Sequence, residues 1–249
     1  MKYAQRYITL LLLAGFSFAC GASTPLQQLE RSLKNYPEYS IILEDMREDG
    51  NFFKEYYHRY KTVLAEKQDN SDSLSFTSDI GNWVEVSQND YEKYYNYLGM
   101  VIASKTVDGK VENDKYPPGY QYVGNSHYGH WRTDSYGNSF WEWYGKYAMM
   151  STVFGMFNRP VYRNDWNSYN DFRRRGEPYF GNGSYYGGNS GSMYGTSGRV
   201  TKETKPNFYQ RRSTIEKTRN TNFANKVKSR VSRSNMSSVR SRSSSRGGK

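Results

Sequence analysis

The sequence predicts a mainly α fold, with α+β left open. It places a helical N-terminal part before an aromatic and glycine-rich second part and a disordered basic C-terminal tail. Three observations carry this. Phe52, Phe53, Tyr56, Tyr57, Tyr60, Val63 and Leu64 fall at i, i+1, i+4, i+5, i+8, i+11 and i+12, the spacing of one helical face. Thr24-Pro25 reads as an N-cap followed by proline at the first helical position. The last 21 residues hold nine Ser and five Arg, too polar to build a core. The whole chain is 249 residues, 36% hydrophobic and 17% aromatic, with a formal charge of +11. So few apolar residues and so much charge exclude a multi-span membrane protein. One cysteine excludes an internal disulfide framework and a cysteine-based zinc site.

Residues 1–19 read as a signal peptide. Lys2 and Arg6 form a positive start, and Ile8 to Ala19 is a twelve-residue apolar run broken only by Thr9 and Ser17. A bilayer-spanning helix needs roughly 20 residues, so this run has the length of a secretory core instead. It ends in Ser17-Phe18-Ala19-Cys20-Gly21. A lone cysteine at that point resembles the lipobox of bacterial lipoproteins. The family usually has Leu where Ser17 stands and a small residue where Phe18 stands. The resemblance implies diacylation of Cys20 and a mature chain that starts there. Gly21, rather than Asp, resembles the pattern sorted to the outer membrane, which implies an anchored protein facing the periplasm. Ordinary cleavage, giving a secreted or periplasmic protein, is the alternative. An acylated Cys20 leaves no free thiol and no cysteine nucleophile.

Residues 20–175 are expected to form one small folded domain, helical over 24–104. Leu26, Leu29 and Leu33 continue from the Thr24 cap at helical spacing, and Tyr36-Pro37 breaks the helix. Ile41, Ile42 and Met46 extend an apolar face to Gly50, and the 52–64 helix follows. The stretch Ser75 to Ser87 alternates in part, which suggests one or two short strands. Asn89 or Asp90 can cap a further helix with Tyr91, Tyr94, Tyr95, Leu98, Val101 and Ile102 inward. From 105 to 175 the chain becomes aromatic-rich. Asp108-Gly109 and Pro117-Pro118-Gly119 mark turns. Ser139 to Phe157 reads as a helix ended by Arg159-Pro160.

Residues 176–249 read as a disordered Gly/Ser/Arg-rich tail. Arg199 to Lys249 carries 15 Lys+Arg against Glu203 and Glu216, or +13. Residues 1–198 hold 20 basic and 22 acidic side chains, or −2. The body is therefore mildly acidic, and the basic character belongs to the tail.

Candidate functional residues fall in three groups. His127 and His130, with Asp134 nearby, are a possible donor set for a divalent metal, although their i,i+3 spacing lies in a Gly-rich loop. The aromatics from Tyr116 to Trp143 could stack on sugars, but aromatic residues more often fill cores. In the tail, Arg230, Arg233, Arg240, Arg242 and Arg246 suit an anionic partner: lipid headgroups, lipopolysaccharide phosphates or an acidic polymer. The signal argues against nucleic acid as that partner. No GxSxG, P-loop or helix-opening GxGxxG is present, and no cofactor is implied. The expected protein is a non-enzymatic, membrane-anchored envelope lipoprotein whose basic tail meets an anionic surface or a partner protein. The alternatives are a secreted or periplasmic metal-binding protein or hydrolase using His127 and His130, and a nucleic-acid-binding protein.

Overall fold

The computed structural model describes residues 23–50, 53–67, 74–106, 108–156, 159–181, 192–215, 217 and 221. Helix α1 (Pro25–Ser32) starts as the sequence predicts. The Thr24 hydroxyl accepts from the Gln27 N–H at 3.3 Å, and the Gln27 side chain accepts from the Thr24 N–H at 3.0 Å. This reciprocal capping satisfies two donors that the first turn would otherwise leave open. Leu26 and Leu33 then turn into the core.

The mainly α expectation is overturned immediately afterwards. Residues read as two helices form β1 (Glu38–Asp49) and β2 (Glu55–Lys67), followed by β3 (Leu74–Val86). With β4 (Val101–Lys105) and β5 (Val111–Glu112) they build an antiparallel sheet in the order β3-β2-β1-β4-β5. The helical spacing misleads because the sheet is covered on both faces. Tyr39, Ile41, Leu43 and Tyr60 pack on one face, and Ile42, Val63, Ala65 and Phe76 on the other. Apolar residues on both faces fill gaps in the period-two pattern, and the result imitates a helix.

The first face is covered by α1, by α2 (Gln88–Tyr94) and by Phe208. Ser87 caps α2, two or three positions before the predicted cap, by accepting from the Asp90 N–H at 3.0 Å. Val101 and Ile102 were expected on this helix. They lie in β4 instead, where Val101 pairs with Ile42 of β1.

The second face is covered by the aromatic-rich part. It contains a two-stranded sheet, β6 (Gly129–Thr133) with β7 (Ser139–Trp143), then α3 (Met149–Val153) and α4 (Arg163–Arg174). The helix predicted over 139–157 is thus a strand, a turn and one short helix. Tyr116, Tyr120, Tyr122, Tyr128, Trp141 and Tyr147 are all buried here. Several of the tyrosine hydroxyls are used within the core, while the Trp141 N–H is buried with no hydrogen-bond partner among the described residues. The Tyr116 hydroxyl lies 2.8 Å from Ser104 Oγ and 2.7 Å from Gln121 Oε1, and Gln121 donates to Ser40 at 2.8 Å. The Tyr120 and Tyr179 hydroxyls donate to Asp165 of α4. Arg173 donates to both carboxylate oxygens of Glu112, at 2.9 and 2.7 Å, and ties α4 to β5. Gly124, at φ +85°, sits where any Cβ would strike the Trp166 ring.

The disordered tail predicted from 176 is corrected in part. Residues 192–215 form a strap over the sheet, with α5 (Arg199–Thr204) followed by helical residues 206–215. Val200 and Phe208 are buried. Thr196 receives the Leu98 N–H at 3.3 Å, and Tyr209 donates to the Thr196 carbonyl at 2.5 Å. Composition undervalues this segment, because a few spaced apolar side chains suffice when a preformed sheet supplies the other half of the interface.

Candidate functional site

Two β-bulges create the most distinctive surface. Along β1 and β2 the pairs run Ile41–Thr62, Leu43–Tyr60, then Asp45–Arg59 and Arg47–Tyr57. Glu44 is the extra residue. Strict alternation from Ile41 and Leu43 would bury Asp45 and Arg47 on the first face; the bulge sends them to the second. Met46 takes the inward place and is fully buried. Along β3 a second bulge lies between the Arg59–Trp83 and Lys61–Ile80 pairs. It brings Trp83 beside Arg59. The aromatic-rich part covers the second face near Ile42 and Phe76, leaving this end half-exposed.

Three guanidinium groups surround the Trp83 ring, at 4.7 Å for Arg47, 5.1 Å for Arg59 and 5.7 Å for Arg211. Arg47 also lies 4.6 Å from the Tyr57 ring, so it contacts two aromatic rings. Asp45 takes Arg211 at 2.6 Å and Arg59 at 3.7 Å, and Asp49 takes Arg47 at 3.3 Å. Arg47 meets Asp49 through Nε, whereas the Nε atoms of Arg59 and Arg211 are buried with no hydrogen-bond partner among the described residues. Cation–π contact with Trp83 therefore adds to the carboxylate pairs in placing these side chains.

Arg211 belongs to the strap and also closes the sheet. β4 pairs with β1 only as far as Ile42, and Leu43 is satisfied by Gly99 and Met100. Beyond that the outer edge of β1 is open to the strap. The Met46 N–H donates to Asp45 at 2.8 Å, and the Met46 carbonyl accepts from Arg211 at 3.3 Å. Lys205 pairs with Glu44 on the same edge. Charged side chains thus occupy an edge that could otherwise pair with another strand.

Of the predicted metal set, His127 Nε2 lies 2.8 Å from the Tyr147 hydroxyl. His130, on β6, lies 3.1 Å from Glu142 and stacks on Tyr144. Asp134 accepts from the Tyr136 and Asn138 N–H groups at 2.9 and 2.8 Å, so it holds the β6–β7 turn. The three residues are engaged separately. Among the described residues no group of three or more His, Cys, Asp or Glu is arranged to hold a metal. The aromatics from Tyr116 to Trp143 mostly serve the core, with Trp131 and Trp143 partly buried against it. Cys20 and the tail arginines Arg230, Arg233, Arg240, Arg242 and Arg246 lie outside the described residues. Among the described residues no helix is long and apolar enough to cross a membrane.

Among the buried titratable groups, His58 and Glu38 stand out. His58 is fully buried against Tyr91, with Nδ1 3.0 Å from the Tyr60 hydroxyl. Burial pulls its pKa down to about 4, with Asp90 opposing weakly. Glu38 accepts from Tyr128 at 3.2 Å, and burial pushes its carboxyl above the usual range despite that bond. Each group is enclosed by core aromatics, which suits packing rather than chemistry on a substrate.

Sequence reasoning missed Asp45, Arg47, Arg59, Trp83 and Arg211. One signal was available. Arg47 and Asp49, and Tyr57 and Arg59, are polar or amphipathic residues two apart, as on the solvent side of a strand. No protein-family profile, curated protein or solved structure matches this chain.

Proposed function

We propose that this chain is a non-enzymatic bacterial envelope lipoprotein, anchored through Cys20, whose basic C-terminal extension meets anionic envelope surfaces. One observation carries the reading: a lone cysteine closes a twelve-residue apolar run that follows Lys2 and Arg6. The start of the fold supports it. The Thr24 cap follows Cys20 by four residues, a reach of at most about 14 Å. An acylated Cys20 would hold the folded body directly against the bilayer.

The strap sharpens the role of the extension. Lys205 and Arg211 are spent on Glu44 and Asp45. From Lys217 to Lys249 the sequence holds ten Lys+Arg and no acid. Near an anionic membrane each basic residue contributes about 1 kcal/mol. Ten such residues suit a surface, since no fixed geometry is needed.

Mass spectrometry of the mature N-terminus tests the anchor. The expected product begins at Cys20 and carries acyl groups. A chain that still begins at Met1, or an unmodified Cys20, defeats the proposal. Removal of 222–249 should weaken binding of the protein to anionic vesicles at low salt and change little at high salt.

A further inference from the structure

We propose that Lys115 is a nucleophilic amine that captures aldehydes as an imine, within a cluster formed with Lys93, Tyr94 and Glu30. Three segments build it. Glu30 lies on α1, Lys93 and Tyr94 end α2, and Lys115 directly precedes Tyr116, which bridges to Val101 of β4. The Lys115 carbonyl accepts from the Tyr179 N–H at 2.9 Å, so its backbone is fixed by neighbours on both sides. The Tyr94 ring is buried, and the Lys93 and Lys115 amines lie 5.1 and 5.7 Å from its centre. Each lysine lays an apolar stem along the protein and presents its amine against that ring.

The two amines are brought to one ring without an acid at ion-pair distance. Lys54, Lys110 and Lys205 each meet a carboxylate, whereas among the described residues neither Lys93 nor Lys115 does. The Lys115 amine donates to the Asn113 carbonyl, a bond that a neutral amine makes as well as an ammonium. Burial, and after it the positive charge of Lys93, draw the Lys115 amine below the ordinary lysine range, with Asp114 and Glu30 opposing. Burial also raises the Glu30 carboxyl, whose Oε1 is enclosed with no hydrogen-bond partner among the described residues. The charge that would hold Lys115 as an ammonium is therefore itself disfavoured. A lysine that is partly desolvated and set beside a second cation is primed to attack a carbonyl carbon. The free amine adds to that carbon, its two hydrogens leave with the carbonyl oxygen as water, and a C=N bond remains. No oxidant or reductant enters.

The inference is independent of the envelope reading, since it needs neither an anchor nor a membrane. The test treats the full chain with propanal, an uncharged aldehyde, and cyanoborohydride, which fixes each imine as a stable alkylamine. Peptide mass spectrometry then reads the rate at each lysine. Near pH 7 Lys115 should be labelled severalfold faster than Lys54 and Lys110, and its rate should level off at a lower pH than theirs. Lys93→Gln should slow Lys115 severalfold and move its pH profile upward, while Lys93→Arg, which keeps the charge, should leave both close to the parent. Lys93 is exposed, and equal thermal melting of the variants and the parent would show the fold intact. In urea the preference for Lys115 should vanish. Labelling of Lys115 no faster than of Lys54 overturns the inference. A profile unmoved by Lys93→Gln also overturns it, as does a preference that survives in urea, which would belong to the local sequence and not to the folded cluster.

Discussion

Replacing Phe208 by Ala should cost about 3–5 kcal/mol of unfolding free energy. The side chain is 4% exposed and packs in the same cluster as Met46, Tyr91 and Leu98. It is the buried apolar anchor of the 206–215 helical stretch, whose other ties are the partly buried Tyr209, which donates to the Thr196 carbonyl, and Arg211 to Asp45, with Lys205 to Glu44 just before it. Partly exposed ion pairs are worth about 0–1 kcal/mol each, so they cannot replace a buried phenyl ring. Typical domains have only about 5–15 kcal/mol in total, so the loss would be a large share of the stability. Urea unfolding by circular dichroism measures the change. Amide exchange at 200–211 should speed up with it. A loss under about 1 kcal/mol, with exchange in the strap already fast in the parent, would refute the reasoning. The strap would then open independently, and the burial of Phe208 would not belong to the cooperative core.

Three other perturbations test two buried groups and the β1–β2 turn. His58 should make stability fall as pH drops from about 6.5 to about 4. The unfolded chain binds the proton in that window and the folded chain does not, so the loss reaches about 3 kcal/mol by pH 4. In His58→Leu this slope should flatten in pH-dependent urea titrations; an unchanged slope would show that His58 is not its source. Glu38→Gln should stabilise the fold at pH 7–8, because it removes a buried charge and keeps an acceptor for Tyr128. That gain should shrink below the folded pKa, where Glu38 is itself neutral, and a variant less stable than the parent at pH 8 would contradict the assignment. Gly50→Ala should cost at least about 1–2 kcal/mol, since Ala at φ +85° is strained and its Cβ meets the Phe53 carbonyl. Thermal melting indistinguishable from the parent would show that the turn relaxes freely.

The legible parts of the fold were local. Thr24 and Pro25 announce α1 because a cap is a contact between residues three apart. Asp108-Gly109 announced a turn, and Gly109, at φ +80°, lies in the β4–β5 connection. The strands were hidden by their partners. Tyr56, Tyr60 and Leu64 look like a helical stripe in the sequence, yet all three serve one face of β2 and Val63 and Ala65 serve the other. A strand buried on both sides carries no clean alternation. The candidate surface was harder still, because Asp45 and Trp83 reach it through bulges at Glu44 and in β3. A bulge depends on how two distant segments pair, and neither segment alone encodes it.

The sequence by itself determined the partition of charge, the apolar run before Cys20, the capped start at Thr24 and the tyrosine-rich content of the core. These are properties of composition or of neighbours, and no folding is needed to express them. Tertiary structure decided the rest. It turned two apparent helices into β1 and β2, drew Phe208 and Arg211 from a basic tail onto the sheet, and gathered Arg47, Arg59 and Trp83 on one face. The physical reason is common to all three. Burial and strand pairing are set by what lies opposite in space, and those partners are contributed by segments far apart along the chain.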